Sequence, residues 1–378
     1  MSLAWPPAGA PVADGPALHA FIVGVSDYPH LEDNPGTAAR AHDTLGLGQV
    51  TTPHYTAMAI VDWLLARFKH PTLVLGSIEL LQSTRSESKL ADGTMITADN
   101  ATLANFKSAF RAWRKRCDAC PGNLALFYFC GHGLHATDQL LLMEDFGDPV
   151  LDAWENCVNF SQMRTGMRSA AVQDQLYFID ACREAPLALM TTLHANGYVP
   201  IRADVDATVN CSAAYYATSH GKHAYGPRDG VSYFGQAVIA CLEGGGAGQR
   251  NGTWLVSSYQ LGAALGQFMG MLKRQHGKRL SCHADVSGDE VFINQVDNGT
   301  VLAIVTCRND SASAVADIIL RNGAMQFHSP AGTAKPLRQQ VHPGPWQISV
   351  CFPGGQYPDA PTCTYFLMPP LFEGVPVP

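Results

Sequence analysis

The sequence predicts an α/β layered domain with a mostly parallel central sheet, followed by a small C-terminal all-β domain. Three observations predict it. Apolar runs of strand length alternate with stretches of helical period, the pattern of strand–helix–strand units on a parallel sheet. Two of the runs, Leu124 to Cys130 and Gln175 to Asp180, are apolar almost throughout and stop abruptly at polar tips, as strands buried on both faces do. Near residue 295 the helical period disappears, and short apolar runs separated by Gly, Pro, Asn and Asp take over. The expected organisation is a flexible leader over 1–16, rich in Pro, Ala and Gly, an α/β domain over 17–295 and a β-rich domain over 297–378.

Each element has its own signal. HAFIVGVSDY (His19 to Tyr28) is a short apolar run ending in Gly and Asp, a buried strand. HYTAMAIVDWLLARF (His54 to Phe68) places Met58, Ile60, Val61, Leu64, Leu65 and Phe68 at helical spacing. GSIELLQST is the next strand, and KLADGTMITADN reads as a polar loop turning at Asp92-Gly93. The stretch from Asn100 to Cys117 is an amphipathic helix with Leu103, Phe106, Phe110 and Trp113 on one face and a basic, solvated face over Arg111 to Cys117. The strands LALFYF and QLYFID follow, the second after a long excursion. TVNCSAAYYATSHG is a strand ending in a turn, and VSYFGQAVIACL and SSYQLGAALGQFMGMLKRQ are helices.

Composition narrows the function classes. The 378 residues are 47% hydrophobic and 15% charged, enough apolar material for a sizeable core. A net charge of -7 gives no basic footprint for nucleic acid. No uncharged apolar segment reaches membrane-spanning length, and the N-terminus lacks the charged-then-apolar order of an export signal. The 11 cysteines, odd in number and scattered, favour free thiols in a reducing compartment, hence a cytoplasmic protein. Cys117 and Cys120 form a CxxC with no second pair and no histidines at zinc spacing, and are read as ordinary thiols near a helix end. No cofactor is expected, and calcium dependence is left open because no calcium-loop pattern is visible.

The chemistry-bearing residues sit at the two strand tips. LALFYF ends in Cys130-Gly131-His132-Gly133, and QLYFID ends in Ala181-Cys182-Arg183. Functional groups on an open parallel sheet gather beyond the C-terminal ends of its strands. If the two strands are neighbours, His132 and Cys182, fifty residues apart, meet at one cleft edge. Cysteine is a nucleophile only as thiolate, and an adjacent imidazole can take its proton and later protonate a leaving amine. The rival thiol, Cys130, is read as core or sheet packing, and His135 as a loop residue beyond the turn.

In YFCGHGL and YFIDACRE the chain resembles the caspase-like clan of cysteine peptidases, of the C14 type with bacterial and metacaspase-like members. The resemblance covers roughly residues 17 to 295 and implies a caspase-like α/β/α sandwich. It implies a catalytic dyad of His132 and Cys182, with the backbone N–H groups of Gly133 and Cys182 as the oxyanion hole. It also implies protein or peptide substrates. Asp180, two residues before the cysteine, stands where metacaspases and paracaspases that cut after Arg or Lys carry an acid, and the Arg that holds aspartate in animal caspases is missing. Cleavage after Arg, and secondarily Lys, is therefore expected, with Asp180 as a substrate-binding carboxylate and a backbone-satisfied structural carboxylate as its bland alternative. The segment around Ala224 and Tyr225 is expected to bind peptide by strand addition, with Tyr225 walling a subsite. Paracaspases carry a further acid at the position of Gly226, which this chain lacks, so Asp27 and Asp229 are the candidates for a second charge. Arg202 and Arg183 are the candidate self-cleavage points. By analogy with bacterial members the expected role is defence or stress response; the C-terminal β domain, which the resemblance does not cover, is expected either to recruit substrate or a protein partner or regulator, or to cover a sheet edge. The alternative is a catalytically silent binding module on the same scaffold.

Overall fold

The computed structural model describes residues 2–6, 15–41, 44–83, 87–90, 93–135, 137–150, 153–183, 197–201, 209–218, 226–297, 301–307, 310–333, 337–369 and 372–375. These form two compact units, one of 1–235 with 282–289 and one of 236–281 with 290–378.

The first unit is built on a seven-stranded sheet. Its strands are β1 (Leu3–Trp5), β2 (Ala17–Gly24), β3 (Val74–Gln82), β4 (Leu124–Cys130), β5 (Asp174–Asp180), β6 (Cys211–Tyr216) and β7 (His283–Gly288), in the spatial order β1-β3-β2-β4-β5-β6-β7. The five inner strands are parallel, and β1 and β7 close the two edges antiparallel. Strands β2, β4 and β6 are buried along their whole length, which is why they read as continuous apolar runs.

Helices cover both faces. Helix α1 (Thr52–Ala66) lies on one, where its Pro53 and Ala57 come against Gly24. Helices α2 (Leu103–Cys117) and α3 (Phe160–Met167) share the other with Phe21, Phe127 and Tyr177, in one aromatic-rich core. The predicted stripe of α2 is buried. Its start is fixed by Thr102, whose hydroxyl accepts from Asn105 N at 3.3 Å, and by Asp145, whose Oδ1 accepts from Leu103 N at 3.0 Å. Arg114, Lys115 and Arg116 fall in the last turn, where the helix dipole favours cations.

Several expectations are corrected here. Residues 1–16 are not leader throughout: β1 pairs with β3, and Leu80 N donates to Ser2 O at 2.7 Å. The stretch read as a polar loop holds two short paired strands, Glu87–Lys89 and Met95–Thr97, with Gly93 at φ 91°, while Asp92 lies outside the described residues. His135 lies in a strand, Gly133–His135, of a small sheet with Gln139–Leu142 and Cys157–Asn159. The basic face of α2 is not wholly solvated: Arg116 reaches the sheet, donating to Ser77 Oγ at 2.9 Å and pairing with buried Glu79.

The second unit holds α4 (Tyr233–Ala240) beyond its first turn, α5 (Ser258–His276), a hairpin of Ala247–Arg250 and Thr253–Ser257 joined by Phe292–Val296, and two further sheets. Those sheets combine Val301–Cys307 with Leu337–Val341 and Phe372–Val375, and Asp317–Asn322 with Met325–Ser329, Gly344–Cys351 and Ala360–Leu367. The chain divides at 235 and not at 296, because residues 236–281 pack with the C-terminal strands: Asn294 Nδ2 donates to Leu242 O at 2.8 Å, and Gln340 Nε2 to Glu243 O at 2.8 Å. One short helix, Asp310–Val315, interrupts the region read as wholly β.

Candidate active site

Register brings the two motif-bearing strands side by side. Phe129 pairs with Ile179 and Cys130 with Asp180, so β4 and β5 end level with each other, and Gly131 N donates to Asp180 O at 3.3 Å. Beyond these ends opens a cavity of about 610 Å³ that His132, Asp180 and Cys182 all line. Cys130, Gly131, the 49–53 segment entering α1, Gly226 to Arg228 and Ser232 complete its walls. Cys182 is half-buried.

The two glycines around His132 have separate steric causes. A Cβ on Gly131 would stand 2.9 Å from the phenol oxygen of Tyr28. That oxygen accepts from His132 N at 2.8 Å, and the Tyr28 and His132 rings lie 4.8 Å apart. A Cβ on Gly133 would stand 2.7 Å from Ala181 Cβ and 2.9 Å from Cys182 O. Only glycine lets the chain after the histidine lie against the backbone that carries the cysteine.

The imidazole is oriented by a backbone carbonyl of the segment before α1. His132 Nε2 contacts Gly48 O at 2.7 Å. A carbonyl only accepts, so Nε2 carries the proton and Nδ1 keeps its lone pair. Burial holds His132 below the ordinary histidine pKa, and the Gly48 bond opposes this. The Gly48 carbonyl is fixed by Gln49. Gln49 Oε1 accepts from Tyr28 N at 2.7 Å, and its Nε2 donates to Tyr28 O at 3.0 Å and to Glu32 O at 2.9 Å. From the other side Gln139 Nε2 donates to Cys182 O at 3.1 Å, tying the small sheet to the residue after Ala181.

Asp180 is 3% exposed, with Ser232, Tyr128 and Cys130 all donating to it. Burial pushes its carboxyl up to about 6, against the pull of those hydrogen bonds. Burial, and next the neighbouring Asp180 charge, raise the Tyr128 and Cys130 pKa values well above their usual ranges, so both stay protonated donors. Asp180 is thus satisfied by side chains rather than by backbone.

The other expected residues divide. Ala224, Tyr225 and Arg202 lie outside the described residues. Asp27 is exposed and does not line the cavity; burial of its neighbours does not extend to it. Asp229 is exposed, held at φ 54° with its N–H on Thr51 Oγ1, and its carboxylate lies 3.8 Å from Arg228 and outside the cavity lining. Neither is placed to add a second acid. Cys130, read as packing, lines the cavity as well as being buried. Sequence reasoning missed Gly48, Gln49, Ser232 and Arg228, whose roles come from distant segments. Arg183 is buried, stacked 4.0 Å over the Tyr216 ring. Among the described residues no group of three or more His, Cys, Asp or Glu could hold a metal ion, and no helix is long and apolar enough to cross a membrane.

Comparison with known proteins adds the family. The model of the caspase domain, Peptidase_C14, matches residues 17–260, more than half of the chain. A protein of Sinorhizobium fredii (strain NBRC 101917 / NGR234), described as uncharacterized protein y4kE, is 27% identical over 235 residues, 57% of this chain and 68% of that protein. The crystal structure of caspase-1 from Spodoptera frugiperda aligns over 72% of this chain and 88% of its own, with a TM-score of 0.42 and 12% identity.

Proposed function

Since the chain belongs to the caspase-domain family of C14 peptidases, we propose that it is a cysteine endopeptidase that cuts after basic residues, with Cys182 as nucleophile and His132 as general base and acid. One observation carries the reading: a half-buried thiol, an oriented imidazole and a buried carboxylate line a single cavity at the ends of two adjacent parallel strands.

The chemistry follows from these groups. The Cys182 thiol gives its proton to the imidazole nitrogen left open by the Gly48 bond, and its sulfur attacks the scissile carbonyl. The backbone N–H groups of Gly133 and Cys182 take the developing oxyanion, and each such donor is typically worth about 3–4 kcal/mol of the barrier. The imidazolium protonates the leaving amine, and water then hydrolyses the thioester. Asp180, buried in the cavity lining, receives the P1 ammonium or guanidinium. The biological setting that goes with this reading is bacterial defence or stress response against protein substrates.

A second reading of specificity has its own observation: Arg228, whose side chain is 90% exposed, also lines the cavity and could hold an acidic P1 side chain. Matched fluorogenic peptides ending in Arg, Lys or Asp decide. The expected result is turnover of the basic peptides, lost by on the order of 10³-fold or more in Cys182→Ala and His132→Ala. In Asp180→Asn the loss is confined to the preference for basic over neutral P1. Faster cleavage of the Asp peptide, abolished by Arg228→Ala, overturns the basic pocket. Undiminished turnover by Cys182→Ala overturns the mechanism.

A further inference from the structure

Asp180 offers less than a whole carboxylate. Ser232 Oγ, Tyr128 OH at 3.2 Å and Cys130 Sγ at 3.4 Å all converge on Oδ2, and none of them reaches Oδ1. A guanidinium grips a carboxylate best through two parallel N–H···O bonds, one to each oxygen, whereas an ammonium is a point donor that one oxygen serves well. With Oδ2 taken, two-oxygen capture of Arg would have to break into the buried donors and leave one of them without its acceptor.

Among the three donors Ser232 is the one least able to yield. Its Oγ accepts from Gly235 N at 2.9 Å at the start of α4, so the single hydroxyl proton is directed away from that bond and toward Asp180. Its own N–H donates to Thr56 Oγ1 at 2.9 Å, which fixes the residue to α1. Tyr128 and Cys130 stand farther from Oδ2 than Ser232 does.

We infer that Ser232 is a specificity-determining positioning residue: by occupying Asp180 Oδ2 it makes the pocket a one-oxygen acceptor, so that Lys and Arg are accepted almost equally. The inference rests on the reading that Asp180 receives a basic P1 side chain. Removing the hydroxyl takes the fixed donor off Oδ2, leaving the more distant Tyr128 and Cys130 to give way to a second guanidinium bond, and the gain falls on Arg alone.

The test is the ratio of kcat/KM for matched Arg-ended and Lys-ended peptides, with an Asp-ended peptide alongside. Measured on one preparation, the ratio is independent of the folded fraction. In the wild type the ratio is expected within about 3-fold of one. Ser232→Ala raises it by about 10-fold, Ser232→Thr keeps the donor and the wild-type ratio, and Tyr128→Phe moves it less than Ser232→Ala. If the alanine variant fails to fold for want of its helix cap, Ser232→Gly carries the test, because glycine is tolerated at that position. A ratio unchanged in the Ala and Gly variants, with basic peptides still cleaved, overturns the role of Ser232 alone. A wild type that favours Arg by more than about 30-fold does the same. A wild type that prefers the Asp peptide overturns the pocket reading and this inference with it.

Discussion

At the scale of single residues, the Gly-His-Gly turn shows how little room the site leaves. Each glycine is there because another group occupies the place of its side chain: the Tyr28 phenol at Gly131, and Ala181 with the Cys182 carbonyl at Gly133. Gly133→Ala therefore pushes the histidine strand and the cysteine turn apart. Displacements near 1 Å at reacting groups typically cost about 100-fold in rate, so kcat/KM on a basic peptide should fall by about that factor. The melting temperature should move by only a few degrees, because the clash is confined to one turn. Gly266→Ala in α5 is the control: a Cβ there meets nothing within 4 Å, and activity should be unchanged. Loss of activity equal in both variants would show that the steric argument at Gly133 is wrong.

At the scale of elements, the segment between β2 and α1 acts as a bracket for the imidazole. Its one carbonyl contact, Gly48 O to His132 Nε2, is held by the three bonds of Gln49 and by Val50 N donating to Ser26 O at 3.1 Å. Gln49→Leu removes the three side-chain bonds and is expected to lower kcat by about 10- to 100-fold with little change in KM, the range for an outer partner that acts through the group touching the functional residue. The Gly48 bond raises the His132 pKa against burial, so its loss should also move the acid limb of kcat/KM to lower pH. An acid limb that stays in place in Gln49→Leu would assign Gln49 a packing role only. Much of this level was legible in the sequence. Strands β2 to β6, α1, α2 and the two strand tips were readable because each is a long apolar or amphipathic run, the kind of signal periodicity carries. The three-residue strands β1 and Gly133–His135 were not, since three residues hold too few side chains to show a period and their pairing partners lie 73 to 76 residues away in one case and 4 to 8 in the other. Cys130 and Ser232 were misjudged or missed for a related reason. Their role is set by the register of β4 on β5 and by the return of the chain to α1, which no local pattern encodes.

At the scale of the whole molecule, the same burial that builds the site also sets how stability answers to pH. Burial, and then the Arg116 charge, hold His19 down at about 4, where its Nδ1 meets Ser77 Oγ of the adjacent strand at 2.8 Å. The folded state prefers this histidine neutral, so its contribution is complete above the unfolded pKa near 6.5 and is lost as pH falls toward 4. His132, lowered in the same direction, adds to that loss. The buried acids work oppositely. Burial raises Asp180 to about 6 and Glu144 to about 7, so the folded state prefers them protonated. Their contribution is complete near pH 4 and is lost as pH rises through 6 and 7. The two sets cross in the window between pH 4.5 and 7, and the wild-type unfolding temperature should be nearly flat there. His19→Asn keeps a hydrogen-bonding partner for Ser77 and removes one of the histidine contributions. Its unfolding temperature should then decline as pH rises from 4.5 to 7, by several degrees relative to the wild type. Because the chain comprises two compact units, the unfolding temperature to follow is that of the transition at which activity on a basic peptide disappears. A wild-type profile that climbs steeply across this window, or a His19→Asn profile parallel to it, would mean that these buried groups do not govern the pH response, and that the charge balance of the exposed surface does.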